Sequence, residues 1–324
     1  MKFPFPSLSR SLAAGLALAA MLAPAGVSAQ SVAVTSIVEH PALDSIKDGV
    51  KEALEAAGYT QAKGLEWQFQ TAQGNTAIAA QIARKFVGDK PDVIVAIATP
   101  SAQAVVAATK TIPVVFSAVT DPVAAQLVEG RGPSGTNVTG VSDELALEKQ
   151  VELIRQVVPD AKHVGMVYNP GEANSVVVVE RMRELLPKAG MSLVEASAAR
   201  TVDVGAAARS LVGKVDVIYT STDNNVVSAY EALVKVGNDA DIPLVASDTD
   251  SVKRGAIAAL GVDYRDLGLQ TGRMVVKLLQ GEKPGDIAWE TSDKLRLFVN
   301  PRAAHAQGAT LSGALLESAD QVIE

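Results

Sequence analysis

The 324-residue chain contains no cysteine, which excludes disulfides, thiol chemistry, thiolate metal sites and a lipid-anchored cysteine behind a leader. Histidine is scarce: His40, His163 and His305 are the whole supply. There is no Gly-x-Ser-x-Gly elbow, His-Glu-x-x-His pair or P-loop, so the common hydrolase, metalloprotease and nucleotide-hydrolysing sites lack their anchors. No motif calls for a metal or a cofactor. Basic excess is missing as well. The chain has 29 Lys and Arg against 36 Asp and Glu, a net charge of −7, which speaks against nucleic acid or an anionic membrane surface as a partner. Aromatic residues reach only 4%, and the abundant Ala and Val suit helices packed closely on parallel sheets. The longest apolar run, residues 12–22, falls well short of the ~20 residues a membrane-spanning helix needs.

That run belongs to an export signal. Lys2 and Arg10 precede it, and Pro24 and Val27-Ser28-Ala29 follow as a small-x-small cleavage site. Residues 1–29 are therefore expected to be removed after Ala29, leaving a periplasmic protein that begins at Gln30. Loss of Lys2 and Arg10 takes the net charge to −9. The remainder, just under 300 residues, suits two domains of about 100–200 residues each.

What organises the chain is the stretch from Pro91 to Asp121. Residues 93–98 form an apolar, β-branched run of the kind buried on both faces of a parallel sheet. Thr99-Pro100-Ser101 then reads as a helix start, with a hydroxyl cap and proline at the first helical position. A second buried strand, residues 112–116, ends in small polar residues from Ser117 to Asp121, and Pro122 is expected to open a helix over residues 122–129. Hydroxyls and free backbone N–H groups thus arrive at one sheet edge, where open α/β sheets bind ligands and helix N-termini favour an anion. The plainer reading is that the hydroxyls only cap helices, an effect worth about 1 kcal/mol. Ahead of this stretch, a strand over 32–38, a loop over 39–44, a helix over 44–57 stopped by Gly58, a strand over 65–70 and a helix over 76–87 complete a βαβαβαβ series.

A second series begins near Ala161 and repeats the first. Val34 with Asp44-Ser45 lies 130 residues before Val164 with Asn174-Ser175. Asp92-Val93-Ile94 answers to Asp216-Val217-Ile218, and Ile112-Pro113 to Ile242-Pro243. The fold expected is α/β: two doubly wound parallel-sheet lobes, one of residues 30–140 plus 265–290 and one of 141–264 plus 291–324. Short crossings near 140–143, 264–266 and 290–294 would serve as hinges, and a final helix is expected near 311–323. The facing loops of the second lobe, at 168–175, 221–224, 247–250 and 263–264, are richer in acid and amide than those of the first. One wall suits an anion and the other a cation, so a zwitterion such as an amino acid would bridge them.

Other features carry less. Gly130-Arg131-Gly132-Pro133-Ser134-Gly135 has the letters of a dinucleotide fingerprint but precedes a strand rather than a helix, where its glycines have no phosphate to approach. Glu39 beside His40 could form an acid/base pair, or simply orient a loop or meet a ligand. Asp248-Thr249-Asp250 lacks the ligand spacing of a Ca²⁺ loop and suits an ammonium or a solvated turn. Tyr168, Tyr219 and Tyr264 could supply an aromatic wall, whereas Tyr230 and Phe116 read as core.

With these residues in hand, the chain resembles the tryptophan/tyrosine-type substrate-binding family of ABC transporters, within the type I periplasmic binding proteins. The matching segments are IVEHPALD (37–44), AIATPSAQA (96–104), IPVVFSAVTDPVAA (112–125), NVTGVSD (137–143), YNPGEANS (168–175), TDNNVVSAYEAL (222–233) and GVDYRDLG (261–268). The resemblance implies a ligand held between two lobes and handed to an inner-membrane ABC permease. It implies a site drawn from Glu39, His40, Thr99, Ser101, Ala102, Ser117, Thr120, Asp121, Glu172, Asn174, Ser175, Asp223, Asn224 and Asp248. Within that set, Thr99, Ser101 and the helix start at 101–102 would take a carboxylate, with Ser117 assisting. Asp223 and Asp248 would hold an ammonium, while Glu172, Asn174 and Ser175 draw the lobes closed. Similar proteins bind aromatic amino acids. The protein is expected to be a monomer without enzyme activity; a sensor presenting its ligand to a receptor, or a hydrolase built on Glu39 and His40, are the alternatives.

Overall fold

In the computed structural model, which describes residues 1–2, 29–292 and 294–323, apolar β-branched runs alternate with helices, several of them headed by proline, asparagine or aspartate. The export-signal residues lie almost wholly outside the described residues. The first series runs β1 (Ser31–Ser36), α1 (Pro41–Ala56), β2 (Glu66–Thr71), α2 (Thr76–Asp89), β3 (Val93–Ile97), α3 (Thr99–Ala108), β4 (Val114–Ser117), β5 (Val138–Ser142). After α4 (Leu147–Val157) the second runs β6 (His163–Tyr168), α5 (Ala173–Lys188), β7 (Ser192–Ser197), α6 (Val204–Ser210), β8 (Val217–Thr220), α7 (Asn224–Ser228), α8 (Tyr230–Ala240), β9 (Leu244–Ala246), α9 (Asp250–Lys253) and β10 (Ala258–Val262). The chain ends with α10 (Tyr264–Leu279), β11 (Glu290–Thr291), β12 (Leu295–Val299), α11 (Pro301–Ala306), α12 (Gly313–Ser318) and β13 (Gln321–Val322).

The two sheets share one topology. Strand order is β2-β1-β3-β4-β5-β11 in the first and β7-β6-β8-β9-β10-β12-β13 in the second, parallel throughout except that β12 runs antiparallel to β10. Each therefore reverses its winding direction between its first and third strands, the position where doubly wound sheets open a crevice. The repeat extends to single side chains. Asp92 Oδ2 accepts from the N–H of Ser31 at 2.7 Å, and Asp216 Oδ2 accepts from that of His163 at 2.7 Å. The carbonyls of Pro113 and Pro243 accept from Ile94 and Ile218, each at 2.9 Å. Each carboxylate pins the start of its lobe's first strand to the third.

Three details differ from the sequence reading. Helix α1 begins at Pro41, not at 44, because proline suits a first helical turn and His40 takes the extended cap conformation. Residues 122–126 form tight turns rather than a helix: Asp121 Oδ1 accepts from the N–H groups of Val123 and Ala124, and Gln126 then turns to φ 60°. The expected terminal helix shrinks to α12, after which β13 joins the edge of the second sheet.

Chain crossings set the lobes' relationship. The chain leaves the first sheet after Ser142, returns after Val262 and leaves again after Thr291. Helix α10, although it follows a strand of the second sheet, buries Leu267, Met274, Val275 and Leu278 in the core of the first. It lies almost backbone-to-backbone on α1. A Cβ at Gly49 would stand 2.6 Å from the Arg265 carbonyl oxygen, and one at Gly268 would strike the Ile46 carbonyl. Overpacking of this kind costs about 1–3 kcal/mol. Gly268→Ala is therefore expected to lower the thermal midpoint by several degrees, as followed by circular dichroism, whereas Gly313→Ala, where added volume meets nothing, should leave it unchanged.

Candidate functional site

Both crevices open onto one pocket between the lobes. From the first lobe it is lined by His40, Ala42 and Leu43 after β1, Ala98 and Thr99 after β3, and Ala118 and Thr120 after β4. Ala98 takes φ 71°, ψ 154° and Ala118 φ 52°, conformations that cost a non-glycine residue about 1–3 kcal/mol and concentrate at functional sites. The bend at Ala98 turns β3 abruptly into α3, so the first turn of that helix meets the cavity. Thr99 and Ser101 do not cap it: α3 has no side-chain cap, and both hydroxyls are buried without a partner. Helix α1 likewise starts without a side-chain cap, at Pro41. Two helix N-termini, which favour negative charge, thus meet at one end of the cavity. Burial, with the Arg254 guanidinium adding to it, lowers the His40 imidazole to about 3; His40 is neutral, and its Nδ1 has no partner.

The opposite wall is acidic and amidic. Asn174, Thr222, Asn224, Val227 and Asp248 come from the second lobe, with Asp143 and Tyr264 from the first two crossings. Asp143 is 2% exposed; it accepts from Thr120 Oγ1 at 3.3 Å and from the Tyr264 hydroxyl at 3.2 Å. Burial raises its carboxyl from 3.8 to about 6, against the lowering effect of those bonds. Asp248 accepts from the N–H and hydroxyl of Ser251, and burial raises it too. Asn174 Oδ1 is buried without a partner. Thr120 Oγ1 lies 3.1 Å from Thr222 Oγ1, a direct bond between the lobes.

The residues expected from the sequence divide accordingly. His40, Thr99, Thr120, Asn174, Asn224 and Asp248 line the cavity. Ser101 and Ala102 are buried in the first turn of α3 without lining it. Glu172 is one layer behind, bonded to Asn174 and Asn224, and burial followed by the nearby Asp223 raises its carboxyl to about 7. Asp223 faces its own lobe: its Oδ1 accepts from the Val226 N–H of α7, and its Oδ2 accepts from the Asn169 N–H and the Ser175 hydroxyl. That also occupies Ser175. Ser117 is paired with Thr271 at 2.7 Å beneath α10, and Asp121 caps its turn. Glu39 is exposed and does not pair with His40 among the described residues. Thr222 and Tyr264, expected on the facing loops though not among the site residues, also line the cavity, whereas Asp143 is expected only at a hinge, where sequence does not show which way a side chain points.

The family model for the ABC transporter substrate binding proteins matches residues 31–323. The chain belongs to that family. Substrate-binding proteins of this kind act outside the cytoplasm, bind a solute and deliver it to an ABC permease; they are carriers, not enzymes. Among the described residues no helix is long and apolar enough to cross a membrane. A "tyrosine-binding protein" of Clostridioides difficile is 41% identical over 271 residues, 84% of this chain and 79% of its own. A conserved domain protein from Vibrio cholerae, 47% identical, superposes with a TM-score of 0.90 over 91% of this chain and all of its own. An ABC domain from Streptococcus pneumoniae solved with L-Trp, 33% identical, gives 0.88 over the same shares. The ligand-free, open structure of a Clostridium difficile substrate-binding protein, 39% identical, gives only 0.68 over 91% of this chain and 99% of its own.

Raising the Asp143 carboxyl in the folded protein means that its ionised form is disfavoured there. The resulting stability is fully present below 3.8 and is lost as pH rises through about 6, a difference of about 3 kcal/mol. Asp143→Asn is therefore expected to stabilise the ligand-free protein at pH 8 by about 1–3 kcal/mol and to change it little at pH 4, as measured by urea denaturation at the two pH values.

Proposed function

We propose that this substrate-binding protein carries an L-amino acid with an aromatic side chain. The observation behind the reading is the charge division of a single cavity. Helix N-termini and the orphaned Thr99 hydroxyl stand on one side; Asp143, Asp248 and the Asn174 amide oxygen stand on the other. The carboxylate of the ligand would lie against Thr99 and the first turns of α1 and α3, and its ammonium against the two acids. The apolar part of the lining, Ala42, Leu43, Ala98, Ala118, Val227 and Tyr264, would face the ring. Relatives named for tyrosine or solved with L-Trp support the aromatic class.

Closure is part of the same reading. The relative solved ligand-free and open is more similar in sequence than the one solved with L-Trp, and less similar in shape, which supports a closed arrangement here, latched by Thr120 and Thr222. The lobe division is read as 30–140 plus 265–290 and 141–264 plus 291–324, with the three crossings as hinges. We take the mature carrier to be a periplasmic monomer cut after Ala29.

Calorimetry with L-tyrosine and L-tryptophan, their decarboxylated amines and their deaminated aryl-propionates tests this. A hydrogen bond to a charged group contributes about 1.5–3 kcal/mol, so loss of either charge should weaken binding at least tenfold. Equal binding of either truncated series would refute the zwitterion reading. Affinity for the amino acids is also expected to fall as pH drops from 7.5 to 5, since protonation removes the Asp143 charge, and the fall should be blunted in Asp143→Asn.

A further inference from the structure

Two side-chain amides, Asn174 and Asn224, face the cavity, and an amide offers either an acceptor or a donor according to which way it is turned. What turns them is behind the wall. Glu172 Oε2 accepts from Asn224 Nδ2 at 2.7 Å and from Asn174 Nδ2 at 3.2 Å. The same oxygen accepts from the backbone N–H of Asn224 at 3.2 Å, a donor that cannot be reversed, so this oxygen is held as an acceptor. Its partners must then present NH₂ to it. Asn174 Nδ2 has a second acceptor in the Thr222 carbonyl at 3.2 Å, whereas Asn224 Nδ2 has Glu172 alone among the described residues. With both NH₂ groups turned away, the amide oxygens are left for the cavity, and Asn174 Oδ1 is buried there with no partner at all. Glu172 is itself 4% exposed, so its carboxylate acts on a ligand through the two amides.

We propose that Glu172 is a positioning residue that locks Asn174 and Asn224 as hydrogen-bond acceptors toward the cavity, restricting the ligand to one carrying a primary ammonium. This rests on the amino-acid reading above and sharpens it. Two neutral acceptors beside Asp143 and Asp248 match a group with several N–H donors. An N-acylated amino acid, with a single N–H, leaves acceptors unmet, and a deaminated one offers them no donor. An acid in the lining could be neutralised by a proton; two amide oxygens cannot.

The test is made at pH 8, above the value of about 7 to which burial and Asp223 raise Glu172. The readout is the affinity ratio of L-tyrosine to its deaminated analogue, with N-acetyl-L-tyrosine as a third ligand. Glu172→Met, similar in length but without an acceptor, should cut the ratio at least tenfold while moving the deaminated analogue less than threefold. Glu172→Gln, which can keep one oxygen toward the amides, should retain most of the ratio. Adding Asn224→Asp to Glu172→Met supplies an acceptor in either orientation and should restore it. An unchanged ratio in Glu172→Met, or an equal loss for both ligands, overturns the proposal, as does wild-type binding of N-acetyl-L-tyrosine on a par with L-tyrosine. If the Met variant fails to fold, NMR of the wild type decides: both side-chain NH₂ groups should show nuclear Overhauser contacts to the Glu172 methylenes, and their absence overturns the assignment. A wild type that binds neither ligand would defeat the amino-acid reading, while the NMR result would still report on the amides.

Discussion

Polar groups buried without partners are the constraint on which this structure turns. Leaving such a group unsatisfied costs about 1–3 kcal/mol, and native interiors contain few. Here the orphaned Thr99, His40 and Asn174 atoms are gathered at the crevices of two facing sheets, together with two buried carboxyls that burial raises. Such a cleft is unfavourable when shut on nothing and favourable when shut on a molecule that satisfies it. In the reading proposed above, that difference drives closure. Moving a 1:99 balance of open and closed forms to 99:1 takes about 5.5 kcal/mol of differential affinity, the scale of two or three charged hydrogen bonds.

Duplication explains how one cleft acquires opposite walls. The two lobes keep the same strand order and the same internal pins, Asp92 and Asp216, because those residues hold strands rather than ligands. The loops after the first and third strands, free of that duty, differ between the halves. In the first lobe they are helix starts with uncapped N–H groups and loose hydroxyls. In the second, Asp223 caps α7, and Glu172 spans the crevice to join the loop after β6 to the loop after β8. Scaffold residues are therefore conserved in kind between the halves, and rim residues differ in sign.

The sequence reading recovered whatever depends on local pattern. Buried β-branched runs mark β1, β3 and β4 within a residue or two, Pro100 marks α3, and the repeated Asp-Val-Ile and Ile-Pro pairs mark the duplication. The family's motifs likewise carry His40, Thr99, Asn174, Asn224 and Asp248 to the cavity wall. What resisted was direction. Asp223 and Asp248 both follow a strand end in a polar loop, yet one turns into its own lobe and the other lines the cleft, a choice made by whether Asn169 and Ser175 reach the carboxylate first. Asp143 looked like hinge because its motif lies between two lobes, and only the return of the chain 121 residues later places the Tyr264 hydroxyl against it.

That contact joins motion to recognition. Asp143 sits where the chain first leaves the first sheet, and Tyr264 opens the helix by which it comes back. Their hydrogen bond ties the two crossings, while Thr120 links Asp143 to the Thr222 bridge between the lobes. A rotation about the crossings that separates Thr120 from Thr222 would also withdraw the hydroxyl that helps hold Asp143 in place. In the amino-acid reading, the carboxylate would then be best formed as an acceptor for the ammonium when the lobes are together. Binding and closure then share a residue, and no separate signal between the ligand and the hinge is required.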